Sequence, residues 1–572
     1  MATDAQFGSD LVVGWLADAG IDHVALNPGA TLRGLHDSLV RADRPRPIVT
    51  LHEEIAVGIA HGYAKATGRP MAVFVHNLVG LQHASMALFN AWVDRAPMLV
   101  LGGSGPRAED NRRPWLDWIH SGHPQGTLVR DIVKWDAEPA TLAGLREALH
   151  RGLRFARTEP SGPVYVSVDT DLQEGPAGGR SLPPLPAVEP ARLTAPDDVA
   201  AEVADVLRQA RRPAVVVDMP VRGLAASLLP VVERLAAAVV DLGGGCNYPT
   251  THWADQSHDR RRTLAEADVV LAFEVRDLGW ATTETDTGSR ATTALVPPDV
   301  PVIAVGMSEL RHSGFLVPES SVEGARYVLG DAVLFADALS ELLVDVPDDR
   351  STDRRTALAA RHTEGREADA KKARGVADHS PIHPAHLANA VWDAVHDAPW
   401  QLANGHLDGW PRRLWDITAD EHFLGRSGGH GLGYGLPASL GAALAHRDDD
   451  VLVVDIQADG DLMYTSSSLW TAAHHQIPVL VVMHNNRTYG KDELHQREMA
   501  AHRERSDDVV GVGIHLDHPA IDFAALAKAQ GVEGIGPIDD HLAVAEALAE
   551  AVRIVREERR PFLVDVICAS KD

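Results

Sequence analysis

The sequence predicts an α/β protein built from three doubly wound parallel-sheet domains. Three observations point there. At 572 residues the chain exceeds what one core organises, and three domains is the natural division. Two stretches of similar size, one near each end, alternate short apolar runs with helical patterns, a βαβ rhythm that places parallel strands between covering helices. Two breaks, one rich in Pro and Gly and one rich in charge, set these stretches apart from a middle region.

In the first stretch, residues 1–175, strands are expected at 22–26, 47–51, 72–76, 98–102 and 164–168. Gly175-Pro176-Ala177-Gly178-Gly179-Arg180 and Pro183-Pro184-Leu185-Pro186 read as a linker. The central domain, 190–345, has expected strands at 214–219, 238–242, 269–273 and 302–305. A second linker, 346–384, carries a charged, Ala-rich core at 354–374 that should form a solvated helix. The last domain, 385–572, returns to the first rhythm, with strands at 451–456, 479–484 and 562–567. The likeness between first and last domains suggests a duplicated architecture, although their sequences barely match.

Composition narrows the function classes. Hydrophobic residues make up 45% of the chain, yet no apolar run is long enough for a membrane span. The opening Met1-Ala2-Thr3-Asp4-Ala5 lacks the basic and apolar regions of a signal peptide, and the two cysteines, Cys246 and Cys568, form no metal pair or disulfide framework. A cytoplasmic protein is expected. The net charge of −27 argues against nucleic-acid and anionic-membrane partners. It leaves room for a small anionic ligand held by backbone N–H groups and a metal.

Two short motifs stand where strands should end: Ala458-Asp459-Gly460 and Asn485-Asn486. Oxygen ligands at the carboxyl ends of neighbouring parallel strands suit a hard cation held against a diphosphate. Asp459 and the side-chain oxygen of Asn486 are the candidate ligands, with the backbone carbonyl of Thr488. Gly460 permits close backbone approach, and a helix expected over 463–475 would aim its N-terminus at the same place. Singly, each motif reads more readily as an N-cap or an Asn turn, and the pair together favours the cation site. A third feature is Glu53, at the junction of a strand ending at His52 and an Ala- and Gly-rich helix. Glu53 and Glu54 also serve simply to complement a helix N-terminus.

Together these motifs resemble the thiamine diphosphate (ThDP) enzymes of the 2-oxoacid decarboxylase and acetolactate synthase superfamily, over essentially the whole chain. The family's Gly-Asp-Gly is present with Ala458 in the first place. Within the superfamily, Asn27-Pro28-Gly29, Gly58-Ile59-Ala60, Gly62-Tyr63-Ala64, Leu469-Trp470-Thr471-Ala472-Ala473 and Thr488-Tyr489-Gly490 are most like the benzoylformate decarboxylases.

The resemblance implies a pyrimidine-binding first domain, a diphosphate- and Mg²⁺-binding third domain, and ThDP with Mg²⁺ as cofactors. Glu53 falls on the glutamate that activates the cofactor's aminopyrimidine, a task suited to a carboxyl in apolar surroundings. In the loop 428–435, the carbonyl of His430 would face the cofactor's amino group and Leu432 would prop its bent shape. Asp461, Tyr489 and Gly490 complete the cofactor set with Asp459, Gly460 and Asn486. His76 falls on a proton-transfer histidine.

At the substrate end the chain departs from the decarboxylase pattern. Ala30 replaces a serine, and the middle domain offers no second histidine near Phe273-Glu274-Val275-Arg276-Asp277. Glu493 matches a proton-transfer acid of 2-hydroxyacyl-CoA lyases, or belongs to a solvated helix. Trp118, His120 and Gln125, in the segment 115–125, line the pocket or pack. Relatives bind FAD, ADP or nothing in the middle domain; Gly243-Gly244-Gly245 and Arg211-Arg212-Pro213 support none of these.

The leading expectation is a 2-oxoacid decarboxylase or carboligase acting on a small carbonyl compound. The alternative is a 2-hydroxyacyl-CoA lyase or an acetolactate synthase-like enzyme, although the chain stops soon after 562–567 with no tail to cover a CoA ester. Least favoured is a non-catalytic ThDP-fold scaffold. The resemblance also implies a homodimer or homotetramer with the site between subunits.

Overall fold

Six parallel strands form the N-terminal sheet of the computed structural model, which describes residues 5–178, 183–187, 189–310, 322–347 and 352–570. Parts of both expected linkers lie outside those residues. The strands are β1 (His23–Leu26), β2 (Arg46–Val49), β3 (Met71–Val75), β4 (Met98–Ser104), β5 (Asp136–Ala137) and β6 (Pro163–Asp169), in the order β2-β1-β3-β4-β6-β5. β5, two residues long, is too short to carry a periodic signal. β2 ends at Val49 rather than at 51, because Thr50 turns the chain. Its hydroxyl donates to the carbonyls of Leu26 (3.2 Å) and His52 (3.0 Å).

The middle sheet is also parallel: β7 (Pro213–Val217), β8 (Ala238–Asp241), β9 (Val269–Phe273), β12 (Val302–Gly306) and β13 (Arg326–Leu329), ordered β13-β12-β9-β7-β8. A separate antiparallel pair, β10 (Thr283–Thr285) and β11 (Thr292–Ala294), is largely exposed and polar, which hid it from an apolar-run reading. The C-terminal sheet orders its strands β14-β15-β16-β18-β17: β14 (Trp400–Gly405), β15 (Leu452–Ala458), β16 (Leu480–Asn485), β17 (Glu533–Ile538) and β18 (Phe562–Ile567). β14 and β17 escaped sequence reading. Gln401 and Asn404 interrupt the first, and Gly534, Gly536 and Pro537 interrupt the second. The charged linker forms a helix, Thr352–Gly375, that buries only Leu358 and Ala373. No described helix is long and apolar enough to cross a membrane.

Two helix pairs position the site. In the N-terminal domain, α1 (Glu53–Thr67) follows β2 and α2 (Asn77–Val93) follows β3. In the C-terminal domain, α3 (Gly435–Ala445) precedes β15, α4 (Asp459–Tyr464) and α5 (Ser468–His474) follow it, and α6 (Gly490–His502) follows β16. α1 packs directly on α3. A Cβ at Gly58 would lie 2.6 Å from the Cβ of Pro437, and at Gly62 and Gly441 it would run into the carbonyls of Ala438 and Ile59. Ile59, Tyr63, Leu440 and Leu462 belong to one apolar core that spans both domains.

Candidate active site

The N-terminal half of the site is built at the carboxyl ends of β1, β2 and β3. Glu53 opens α1 and is only 3% exposed. Its Oε2 lies 3.3 Å from Nδ1 of His83 on α2. Gly80, one turn earlier on α2, leaves the other oxygen room: a Cβ there would sit 2.7 Å from Oε1. His52 caps α1, its Nδ1 accepting the Glu54 N–H at 3.2 Å, and its ring stacks on His83 with centroids 4.6 Å apart.

His76 caps α2 from the end of β3. Its Nδ1 is 2.9 Å from the Thr31 hydroxyl, and Gly29 lies flat against its ring, where a Cβ would collide. Burial and the neighbouring His120 ring, 5.8 Å away, hold its pKa below the ordinary value. Thr31 was missed by sequence reasoning. It stands one residue past Ala30, in the turn Ala30–Leu32, and supplies a hydroxyl beside the position where the serine is absent.

The segment 115–125 divides. His120 has a buried Nδ1 without a hydrogen-bond partner, and Trp115 and Trp118 are 70% and 72% exposed, so neither tryptophan serves as core. Gln125 packs. It is buried, and its amide donates to the Gly103 carbonyl (3.1 Å) and the Tyr165 hydroxyl (2.6 Å) inside the domain.

In the C-terminal half, the helix expected over 463–475 begins at Asp459 instead and breaks at Thr465, whose hydroxyl donates to the Gly433 carbonyl at 3.0 Å. Asp459 is 3% exposed. Oδ1 accepts the Gly460 N–H at 2.7 Å and Oδ2 the Arg487 N–H at 2.6 Å, so the ends of β15 and β16 are tied together at this carboxylate. Burial pushes its pKa up to about 6. Asn486 turns back, its Oδ1 accepting the Thr488 N–H at 3.1 Å. Gly460 lies against the Tyr489 ring, and Gly490 starts α6. Among the described residues no three His, Cys, Asp or Glu side chains gather as a metal site. The donor set here is one carboxylate with an Asn amide oxygen and a backbone carbonyl.

Asp461 braces the glycine-rich loop. Its two oxygens accept the N–H groups of Gly433 (2.8 Å) and Gly435 (3.2 Å) and the Gln457 amide (2.6 Å). The loop in turn is pinned to the N-terminal domain. Asp94 accepts the Gly428 N–H at 2.7 Å, and the Asn90 amide bonds both backbone groups of Gly431 at 3.0 and 3.1 Å. This leaves His430, at φ 53°, and half-buried Leu432 at the loop's tip. Glu54 faces Gly433, and burial with Asp461 nearby raises its pKa to about 7.

Glu493 lies on α6, a helix with no buried residue. Arg497 donates to it at 2.7 Å and holds its carboxyl below the usual range, and the Thr488 hydroxyl lies 3.3 Å away. In the middle domain, Gly243-Gly244-Gly245 packs against the loop Phe423-Leu424-Gly425, with the Cys246 N–H donating to the Phe423 carbonyl at 3.2 Å. The Arg211 and Arg212 N–H groups are taken by Asp268 at 2.7 and 2.9 Å. Both motifs serve packing.

Known proteins match this arrangement. Residues 7–131 match the thiamine pyrophosphate enzyme N-terminal TPP binding domain, and residues 403–566 the C-terminal TPP binding domain of such enzymes. A benzoylformate decarboxylase of Pseudomonas aeruginosa is 28% identical over 91% of both chains. An acetolactate synthase of Brassica napus chloroplasts is 24% identical over 99% of this chain and 84% of its own. The solved ThDP-dependent 4-hydroxybenzoylformate decarboxylase of Rhodococcus jostii superposes with a TM-score of 0.74 at 22% identity, over 99% of both chains.

Proposed function

Because the chain belongs to the thiamine pyrophosphate enzymes of the decarboxylase and acetolactate synthase family, we propose that it uses ThDP with Mg²⁺ to break or form a C–C bond beside a carbonyl, and that 2-oxoacid decarboxylation is its leading reaction. The observation that carries this reading is the α1–α3 contact, which joins the helix headed by the buried Glu53 to the domain that holds the loop 428–435 and Asp459.

The residues fit the cofactor. Asp459 is a buried carboxylate offered only backbone N–H groups, and a divalent cation would relieve the burial that lifts its pKa. With Asn486 and Thr488 it would hold Mg²⁺ against the diphosphate, assisted by the backbone of Gly460 and Gly490 and the ring of Tyr489. His430 and Leu432 would orient the rings. Bound ThDP supplies a carbon nucleophile and an electron sink. Glu53 holds and returns one proton at the far end of the site. His76, oriented by Thr31, handles the proton at the reacting carbonyl, while Ala30, His120 and the exposed Trp118 shape the space around it.

Carboligation of the acetolactate synthase kind remains the second reading, favoured by relatives spanning 99% of this chain. A CoA-lyase role for Glu493 is disfavoured by Arg497, which keeps that carboxyl ionised. An FAD or ADP site in the middle domain gains no support from its glycine run. The working unit is proposed as a homodimer or homotetramer with the active site at the subunit interface.

The test is calorimetric titration of purified protein with ThDP, with and without Mg²⁺. A screen of 2-oxoacids, acyloins and 2-hydroxyacyl-CoA esters then reads out CO₂ and aldehyde. Failure to bind ThDP, or full activity in Glu53→Gln, overturns the enzymatic reading and returns the scaffold reading to the front.

A further inference from the structure

A buried carboxylate beside a buried lysine is costly unless their oxygens and protons all find partners. Asp94, directly after α2, meets that condition on the glycine-rich loop. Its Oδ1 accepts the Gly428 N–H at 2.7 Å. Its Oδ2 lies 3.0 Å from Nε2 of the buried His61 and 3.4 Å from Nζ of Lys65, both on α1. The Lys65 ammonium donates also to the carbonyls of Gly425 and Arg426, each at 3.2 Å. Burial opposes both charges. Lys65 and His61 nevertheless hold the Asp94 carboxyl well below the usual range, and Tyr434 and Asp94 keep the lysine above its own. The Asp94 side chain is 8% exposed and that of Lys65 11%, so the pair is completed inside the chain and needs no neighbouring subunit.

Further contacts complete a clamp on the loop. The buried Asn90, one turn earlier on α2, accepts the Gly431 N–H at 3.0 Å and donates to its carbonyl at 3.1 Å. His61 meets the Tyr434 ring edge-on with centroids 4.9 Å apart, and Nζ of Lys65 lies 5.3 Å from the same ring centre. The middle domain joins in through Arg276, which donates to both oxygens of Asp218 at 2.6 and 2.9 Å. Arg276 and Asp94 close around Gly428, where a Cβ would strike both. From the other side Asp461 holds Gly433 and Gly435. Anchors therefore flank His430 and Leu432 in both directions along the loop. We propose that Asp94 and Asn90 are positioning residues: by fixing the backbone at Gly428 and Gly431 they set where His430 and Leu432 meet the rings of ThDP. Neither touches a reacting atom; both act through the loop. The purpose of the clamp rests on the ThDP reading above, whereas the clamp itself belongs to the free chain.

Two measurements keep these apart. Asp94→Asn alone would strand the buried Lys65 charge and put folding at risk, so Asp94→Leu is combined with Lys65→Met, which removes the pair as a unit. Asn90→Leu is the second variant, a neutral side chain exchanged for one of similar size. In the free protein, backbone hydrogen exchange across 425–435 should quicken at least about 10-fold at Gly428 in the first variant and at Gly431 in the second. Gly433 and Gly435, bonded to Asp461, should stay protected in both. Unchanged exchange at Gly428 and Gly431 overturns the clamp whatever the chain binds. In protein saturated with ThDP and Mg²⁺, quenched deuterium exchange at the cofactor's C2 position reads the positioning. A merely structural role would lower the melting temperature and leave the rate per bound cofactor alone. Both variants should instead slow that rate about 10-fold or more, the effect of a small misplacement at a reacting centre. A rate per bound cofactor equal to wild type overturns the positioning role and leaves Asp94 and Asn90 as packing. If the wild-type protein binds no ThDP, the functional reading falls and the positioning role with it, while the loop exchange still decides whether the clamp exists.

Discussion

His475 accepts the backbone N–H of Val49 through Nε2 at 2.8 Å, tying α5 of the C-terminal domain to the end of β2 in the N-terminal domain. The Thr471 hydroxyl donates to the Val49 carbonyl beside it at 3.3 Å. Only a ring nitrogen without a proton can accept there. Burial, with His474 alongside, lowers the His475 pKa from 6.5 to about 4. The unfolded chain therefore binds this proton more readily than the folded one. The stabilisation is complete above pH 6.5 and drains away as pH falls from 6.5 towards 4. After allowance for solvent at its open edge it is worth about 1–2 kcal/mol. Thermal melts across that window should show wild-type stability falling with acid. His475→Gln, which keeps an acceptor but cannot titrate, should fall less steeply by one proton's share. An identical slope in the two proteins would refute the assignment.

The α1–α3 contact gives a packing prediction. Gly62→Ala places a methyl group against the carbonyl of Ala438, where backbone cannot yield cheaply. A loss of about 1–3 kcal/mol is expected, from overpacking at a helix crossing. Gly375→Ala, which meets nothing within 4 Å, is the control and should be neutral. Denaturant unfolding measures both. Equal stability of the two variants would mean that the domains do not depend on this crossing.

The same helices show what could be read in the sequence. Gly58 and Gly62 are legible in the sequence as part of an Ala- and Gly-rich helix headed by Glu53, but the helix that packs against them, α3, is not. Asp459 and Asn486 were legible because β15 and β16 are continuous apolar runs that deliver them to one edge. Thr31 was not, since its relation to His76 depends on two separate strand ends meeting. His83 was hidden for the same reason: its partner lies on another helix. The bracing by Asp461 was not legible either, since its oxygens go to the N–H groups of Gly433 and Gly435 on a separate loop.

Thr31 and His76 make a test at the substrate end. Thr31→Val keeps the shape and removes the hydroxyl that meets Nδ1 at 2.9 Å. One hydrogen bond of about 0.5–1.5 kcal/mol corresponds to a roughly 2- to 13-fold fall in kcat, with ThDP affinity unchanged. Thr31→Ser should restore the rate. Steady-state kinetics on whichever 2-oxoacid the screen selects would decide, and a fall in ThDP affinity instead would place Thr31 at the cofactor.

The metal assignment predicts a thermodynamic signature that does not depend on turnover. A ligand that binds only the folded chain raises its melting temperature according to its concentration over its Kd. Wild-type protein with ThDP and Mg²⁺ should therefore melt higher than protein alone, and EDTA should cancel the gain. Asp459→Asn keeps the size of the side chain and one acceptor for the Gly460 N–H, but it removes the charge a cation needs. Its gain from ThDP and Mg²⁺ should vanish, with affinity down by at least about 10- to 100-fold, the loss that even outer-shell changes bring to metal sites. Asn486→Ala should act in the same direction more weakly, because it removes a neutral ligand. Were ThDP to stabilise Asp459→Asn as fully as wild type, the cation would have to sit elsewhere, and the tie from Asp459 to the Arg487 N–H would be only a structural link between β15 and β16.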